Sequence, residues 1–76
     1  STDDKDNKVH SDLKKLIEEL PADQKEVLAM RMYQDMSFKE ISESTGVSIN
    51  TALGRMRYAL MNLRKVIDKH QIVLTN

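Results

Sequence analysis

Apolar positions recur at helical spacing in separate blocks along this chain, and short polar or turn-forming stretches divide the blocks. Val9, Leu13, Leu16, Ile17 and Leu20 form the first block, with Asn7 or Ser11 available as its cap. The spacing predicts a helix that ends before Pro21, because a residue preceding proline avoids the α region. Pro21 suits the first turn of a second helix, where its missing N–H costs nothing, and Asp23 and Glu26 place negative charge near that helix's positive end. Val27, Leu28, Met30, Arg31, Met32 and Tyr33 carry this second helix from about Ala22 to Gln34. It is apolar around much of its circumference, which predicts neighbours on more than one side. Gln34-Asp35-Met36 then connects, with Met36 as the packing residue of the turn.

Ser37 followed three residues later by Glu40 is a capping box, so a third helix starts there, with Ile41 as its clearest buried position. Thr45-Gly46-Val47 ends it, Gly46 supplying the positive φ that a helix C-terminus needs. Ser48 can cap a final helix running from Ile49 to roughly Lys69. At 100° per residue, Ile49, Ala52, Met56, Leu60, Leu63 and Ile67 share one sector, the expected buried stripe. Asn50, Thr51, Gly54, Arg55, Arg57, Tyr58, Met61 and Lys65 take the other side. The expected organisation is an all-α, small four-helix domain over residues 9–70, a polar linker or lead-in over 1–8, and a short apolar tail over 71–76.

A chain of 76 residues suits one such domain. With no cysteine, disulfides and thiolate metal sites are excluded, consistent with a cytoplasmic location. No apolar run is long enough to span a membrane, and no secretory signal is present. Ser1 is not an initiator methionine, so a processed or excised fragment is expected. Catalysis is not expected: no nucleophile–base pair, HExxH, phosphate-cradling glycine loop or metal-ligand cluster occurs. His10 and His70 lie near opposite ends and read as surface histidines, and the five methionines read as core filler or an adaptable partner surface. Neither a cofactor nor a metal is expected.

Two helices joined by a short turn at Gly46 make a helix-turn-helix, whose second helix enters the DNA major groove. Formal net charge is zero, but its distribution is uneven: residues 1–36 sum to −3 and residues 37–76 to +3. From Ser48 to Lys69, five basic residues face one acidic residue, Asp68, and such a local basic stripe matters more for phosphate than the overall sum. Asn50 can bond an adenine edge or a phosphate, and Thr51 can bond phosphate, meet a thymine methyl or simply help cap. Arg57 lies nearer the exposed arc and is favoured for bases, whereas Arg55 sits on its flank and suits phosphate or an acidic neighbour. Tyr58 can bond phosphate or stack locally, Lys39 can touch the DNA backbone or stand as a plain solvated lysine, and Gly54, costly within a helix, is either a point of close approach to DNA or simply tolerated there.

Leu20-Pro21-x-x-Gln24-x-x-Val27-Leu28, Met36-Ser37-Phe38-Lys39-Glu40-Ile41-Ser42, Gly46-Val47-Ser48-x-x-Thr51 and Arg55-Met56-x-x-Ala59-Leu60-x-x-Leu63-Arg64 stand in order along the chain. With these four elements, the stretch from Leu13 to Lys65 resembles the C-terminal region four domain of bacterial extracytoplasmic-function sigma factors. The resemblance implies a helix-turn-helix of winged-helix-like, sigma region four type that recognises the −35 promoter element as a monomer. It implies docking on the β-flap of RNA polymerase and an anti-sigma factor as a further partner. DNA contacts implied by it fall on Asn50, Thr51, Leu53, Gly54, Arg57 and Tyr58, beside Ser48, Arg55 and Lys39 from the reading of the residues themselves. Leu53 and Gly54 depart from the polar or basic side chains usual at those positions. Leu13, Ile17, Leu20, Leu28 and Met32 are the implied polymerase-binding candidates, and each has a core role as its alternative. The DNA-binding output domain of a response regulator and a protein-interaction module that binds no DNA are the competing readings.

Overall fold

The computed structural model describes residues 12–70. Within them lie four helices and no strand: α1 over residues 12–17, α2 over Ala22–Met32, α3 over Phe38–Thr45 and α4 over Ile49–His70. The expectations for the lead-in, for Val9, His10 and the caps at Asn7 or Ser11, and for the 71–76 tail lie outside the described residues.

The punctuation follows the local chemistry. Beyond α1, the Glu19 and Leu20 N–H groups donate to the carbonyls of Leu16 and Ile17 at 3.1 and 3.0 Å, a tightened turn that stops at proline. Pro21 is the N-cap of α2 (φ −54°, ψ 149°), which begins at Ala22 as expected, and its carbonyl accepts from the Lys25 N–H at 2.9 Å. α2 ends earlier than expected, at Met32, with the Tyr33 and Gln34 N–H groups both donating to the Ala29 carbonyl. Asp35 is in the left-handed region (φ 52°), which lets the Met36 N–H reach back to the Met30 carbonyl at 3.1 Å. Arg31 clamps the connector, donating to the Met36 carbonyl at 3.0 Å while its guanidinium lies 5.4 Å from the Phe38 ring centroid.

α2 feeds two apolar clusters, as its broad apolar surface requires. Leu28 joins Leu16, Ile17, Leu20, Ala59 and Leu63, uniting α1, α2 and α4. Val27, the adjacent residue, joins Ile41 and Ala52, uniting α2, α3 and α4, with Met36 packed against this cluster. Met56 touches both, so it is the hinge of the core. Val27, Leu28 and Ile41 have no exposed surface, and each such burial contributes about 1.5–3 kcal/mol.

The buried stripe of α4 agrees with the expected one at Ala52, Met56, Leu63 and Ile67 and differs at Ile49 and Leu60. Ala52, Ala59 and Leu63 are buried, with Met56, Val66 and Ile67 packed beside them, whereas Ile49 and Leu60 are 44% and 49% exposed. The inward face is rotated by about 40° from the sector with the largest side chains. The reason is the two alanines, which let α4 approach α2 and α3 closely and draw the contact line toward themselves. Polar contacts fix the same rotation: Asn62 donates to Gln24 Oε1 at 2.7 Å, and Arg55 Nε lies 3.6 Å from Asp23 Oδ2. At the far end, Lys69 and His70 reach Glu19 at 3.7 and 2.7 Å, securing α4 to the α1–α2 turn.

Candidate nucleic-acid interface

The interface is built by the α3–turn–α4 unit. Ser37 caps α3 by accepting the Glu40 N–H at 3.1 Å, and the Glu40 carboxylate accepts the Ser37 N–H at 2.9 Å. These two bonds satisfy donors that the helix start leaves open, and they hold the Glu40 carboxyl below its ordinary value of 4.5 because the charged form is the better acceptor. At the other end Gly46 takes φ 73° and its N–H donates to the Ser42 carbonyl at 2.9 Å. Thr45 Oγ1 donates to the Ile41 carbonyl at 2.7 Å, and the Ser42 hydroxyl donates to the Val47 carbonyl, so side chains tie down the turn. The chain re-enters a helix two residues later, at Ile49.

Ser48 starts that helix. Its hydroxyl accepts the Thr51 N–H at 3.1 Å and donates to Thr51 Oγ1 at 2.9 Å, and its carbonyl accepts the Ala52 N–H. Of the alternatives open to Thr51, capping is therefore realised. Asn50, Arg57 and Tyr58 project from α4 with exposed side chains, Tyr58 being 58% exposed. Leu53 is exposed beside them, and Gly54 is half-buried with open space where a Cβ would stand. Lys39 is exposed on α3. The structure thus brings Asn50, Leu53, Gly54, Arg57 and Tyr58 onto one outward arc.

Arg55 departs from that arc. It is half-buried and faces Asp23 at the start of α2, the acidic-neighbour alternative rather than an open cation. Asp23 and Gln24 are positioning residues that the sequence reading did not assign to the site. They orient α4 through Arg55 and Asn62, and the Pro21-x-x-Gln24 spacing was their visible signal. Arg64 and Lys65 are exposed on the outer side of α4 as well, extending the basic stripe toward its C-terminus.

The polymerase-binding candidates divide by burial. Leu28, Ile17 and Leu20 are buried in the core, the alternative role open to each. Leu13 is half-buried against that cluster, and Met32, the last residue of α2, is 47% exposed. Lys14, Lys15, Ile17, Glu18, Lys25, Ala29 and Tyr33 line an open groove of about 400 Å³, with Lys14 Nζ 5.5 Å from the Tyr33 ring centroid. No described helix is long and apolar enough to cross a membrane.

Comparison with known proteins identifies the family of the chain. The family model described as "Sigma-70, region 4" matches residues 10–63. The chain is 32% identical over 62 residues to RNA polymerase sigma factor SigV of Bacillus subtilis (strain 168), an alignment covering 82% of this chain and 37% of that protein. The chain thus spans well under half the length of this curated relative. No solved structure gives a significant match. The match extends from the end of the lead-in to Leu63, through both apolar clusters and the whole helix-turn-helix, and the chain belongs to the sigma-70 region 4 family.

Proposed function

We propose that this domain recognises the −35 promoter element as part of an extracytoplasmic-function sigma factor, acting in the cytoplasm as a monomer tethered to RNA polymerase. The observation that carries the reading is the outward arc of α4 in a capped helix-turn-helix, combined with membership of the region 4 family. α4 enters the major groove by its N-terminal turns. Asn50 bonds an adenine edge or phosphate, and Arg57 bonds guanine O6 and N7, the commonest specific contact. Gly54 admits the DNA close to the helix backbone, Leu53 packs on a thymine methyl, and Tyr58 bonds phosphate. Lys39 meets the phosphate backbone as α3 crosses it. Ser48 and Thr51 hold the helix start and offer phosphate their remaining bonding capacity, while Arg55 buttresses α4 through Asp23.

Docking on the polymerase β-flap involves the α1–α2 side, with Met32 and Leu13 as its apolar contacts and Ile17, Leu20 and Leu28 supporting them from beneath. An anti-sigma factor is a further expected partner. The chain has no role as an enzyme in this account and requires no cofactor.

Fluorescence anisotropy of a labelled −35 duplex tests the DNA reading. Affinity should fall steeply as salt rises, since phosphate contacts release counterions, and a scrambled duplex should bind more weakly. Salt-insensitive binding, or equal binding of both duplexes, contradicts the reading.

A further inference from the structure

We propose that the groove between α1 and α2 is a binding site for a single nucleotide carrying a chain of phosphates. Lys25, Ala29 and Tyr33 follow each other at intervals of four residues along α2 and its C-cap, so they share one face. Lys14 and Ile17 share a face of α1 in the same way, and the two faces line the groove. Ile17, buried, and Ala29, half-buried, supply its apolar part. Lys25 and Tyr33 stand about 12 Å apart along the helix axis, which sets the length of the site. Its volume of about 400 Å³ lies within the range of small-molecule sites.

Charge and one aromatic ring select the occupant. Three lysines face a single glutamate around the groove, in a half of the chain that sums to −3. That glutamate is already paired, Glu18 Oε2 lying 3.0 Å from Lys25 Nζ. The nearby acidic side chains are engaged elsewhere: Glu19 with Lys69 and His70, Asp23 with Arg55. Lys14 and Lys15 are exposed and make no ion pair with a described residue. Their ammonium groups suit phosphate, which lysine binds as a point charge. Tyr33 is 41% exposed, and the Lys14 ammonium lies 5.5 Å from its ring centroid, so the ring belongs to the same groove as the cations. A nucleobase stacks on such a ring, and Lys14, displaced from it, moves to the phosphates. A bare polyphosphate leaves the ring and the apolar wall unused. Duplex DNA keeps its bases stacked on one another, and a site about 12 Å long holds one nucleotide rather than a strand.

The groove shares no residue with the outward arc of α4, so the nucleotide site does not rest on the promoter-binding reading.

The test titrates adenosine triphosphate, guanosine triphosphate, inorganic triphosphate and adenosine separately into the isotopically labelled 76-residue chain, without divalent cation, and follows backbone amide shifts. The expected result is saturable shifts at Lys14 to Glu18 and at Ala29 to Tyr33. At least one of the two nucleotides should bind about tenfold or more tighter than either inorganic triphosphate or adenosine, since one base stacked on one ring accounts for that factor. Tyr33→Leu should lower nucleotide affinity by about tenfold, to the level of inorganic triphosphate, and leave inorganic triphosphate binding unchanged. Lys15→Ala should weaken nucleotide and inorganic triphosphate alike, by about two- to fivefold. Both variants should keep the helical circular dichroism spectrum. Absence of saturable binding, shifts centred on α4, equal affinity for the nucleotides and inorganic triphosphate, or unchanged nucleotide affinity in Tyr33→Leu overturns the proposal. So does equally tight binding of a single-stranded oligonucleotide without terminal phosphates, which assigns the groove to a nucleic-acid strand.

Discussion

Arg55 and Arg57 stand two positions apart on α4, yet the fold gives them different tasks. Arg55 is half-buried against Asp23, 3.6 Å away, while Arg57 is exposed and makes no ion pair with a described residue. Arg57→Ala should weaken binding to a −35 duplex by about 10- to 100-fold, corresponding to the roughly 1–3 kcal/mol of a good arginine–guanine contact, without altering the circular dichroism spectrum. Equal affinity of variant and parent would remove Arg57 from the site. Arg55→Ala should cost stability, by at most about 1 kcal/mol because the pair is partly exposed. Gly54 makes a sharper test, since no heavy atom outside the local helix backbone lies within 4 Å of a Cβ built there. Gly54→Ala should therefore raise stability by up to about 1 kcal/mol through helix propensity, read as a higher Tm. If DNA approaches α4 as closely as proposed, the same variant loses duplex affinity. Equal or tighter duplex binding by Gly54→Ala would contradict that approach.

At the scale of elements, the capping box of α3 ties the helix-turn-helix to pH. The folded-state value of Glu40 is lowered by the Ser37 hydrogen bonds, so its contribution is present above the unfolded value near 4.5 and is lost as pH falls through the lower folded value. Glu40→Gln should consequently be less stable than the parent at pH 7, with the difference shrinking as pH falls below the unfolded value near 4.5; thermal melts at neutral and acid pH read this directly. A pH-independent difference would mean that the carboxylate's charge has no part in the cap. Gly46→Ala should destabilise by about 1–2 kcal/mol through backbone strain alone, since φ is 73° and the space for a Cβ is open. These local devices were legible in the sequence because each rests on residues within a few positions of one another: the Ser37–Glu40 box, Gly46 and the Ser48 cap all stand where the pattern put them. The facing of α4 was not legible in the same way. Spacing put Ala52, Met56, Leu63 and Ile67 in the inward sector, where they stand, but it also put Ile49 and Leu60 there, which are exposed, and left out Ala59, a small residue whose burial lies to one side of that sector.

Across the whole molecule, α2 is the strut on which the interface depends. Its N-terminal turn holds α4 through Asp23 and Gln24, its middle places Val27 and Leu28 in separate clusters, and its end turns through Asp35 into α3. Leu28→Ala should cost about 2–5 kcal/mol, because the side chain is wholly buried and its loss leaves a cavity, and duplex binding should fall with the fold. Met32→Ala, on exposed surface, should leave the melting temperature nearly unchanged and weaken only binding to polymerase. Sequence spacing could not separate these two residues, since both are large and apolar on one helix. Burial separates them.

The central claim is that the outward arc of α4 is the surface that meets promoter DNA. Titrating a −35 duplex into the isotopically labelled chain and following backbone amide shifts tests it most directly. The account predicts the largest shifts at Asn50 to Tyr58, with smaller ones at Lys39, and little change along α1 and the first turns of α2. Shifts centred on the groove beside Tyr33, or none on α4, would contradict it.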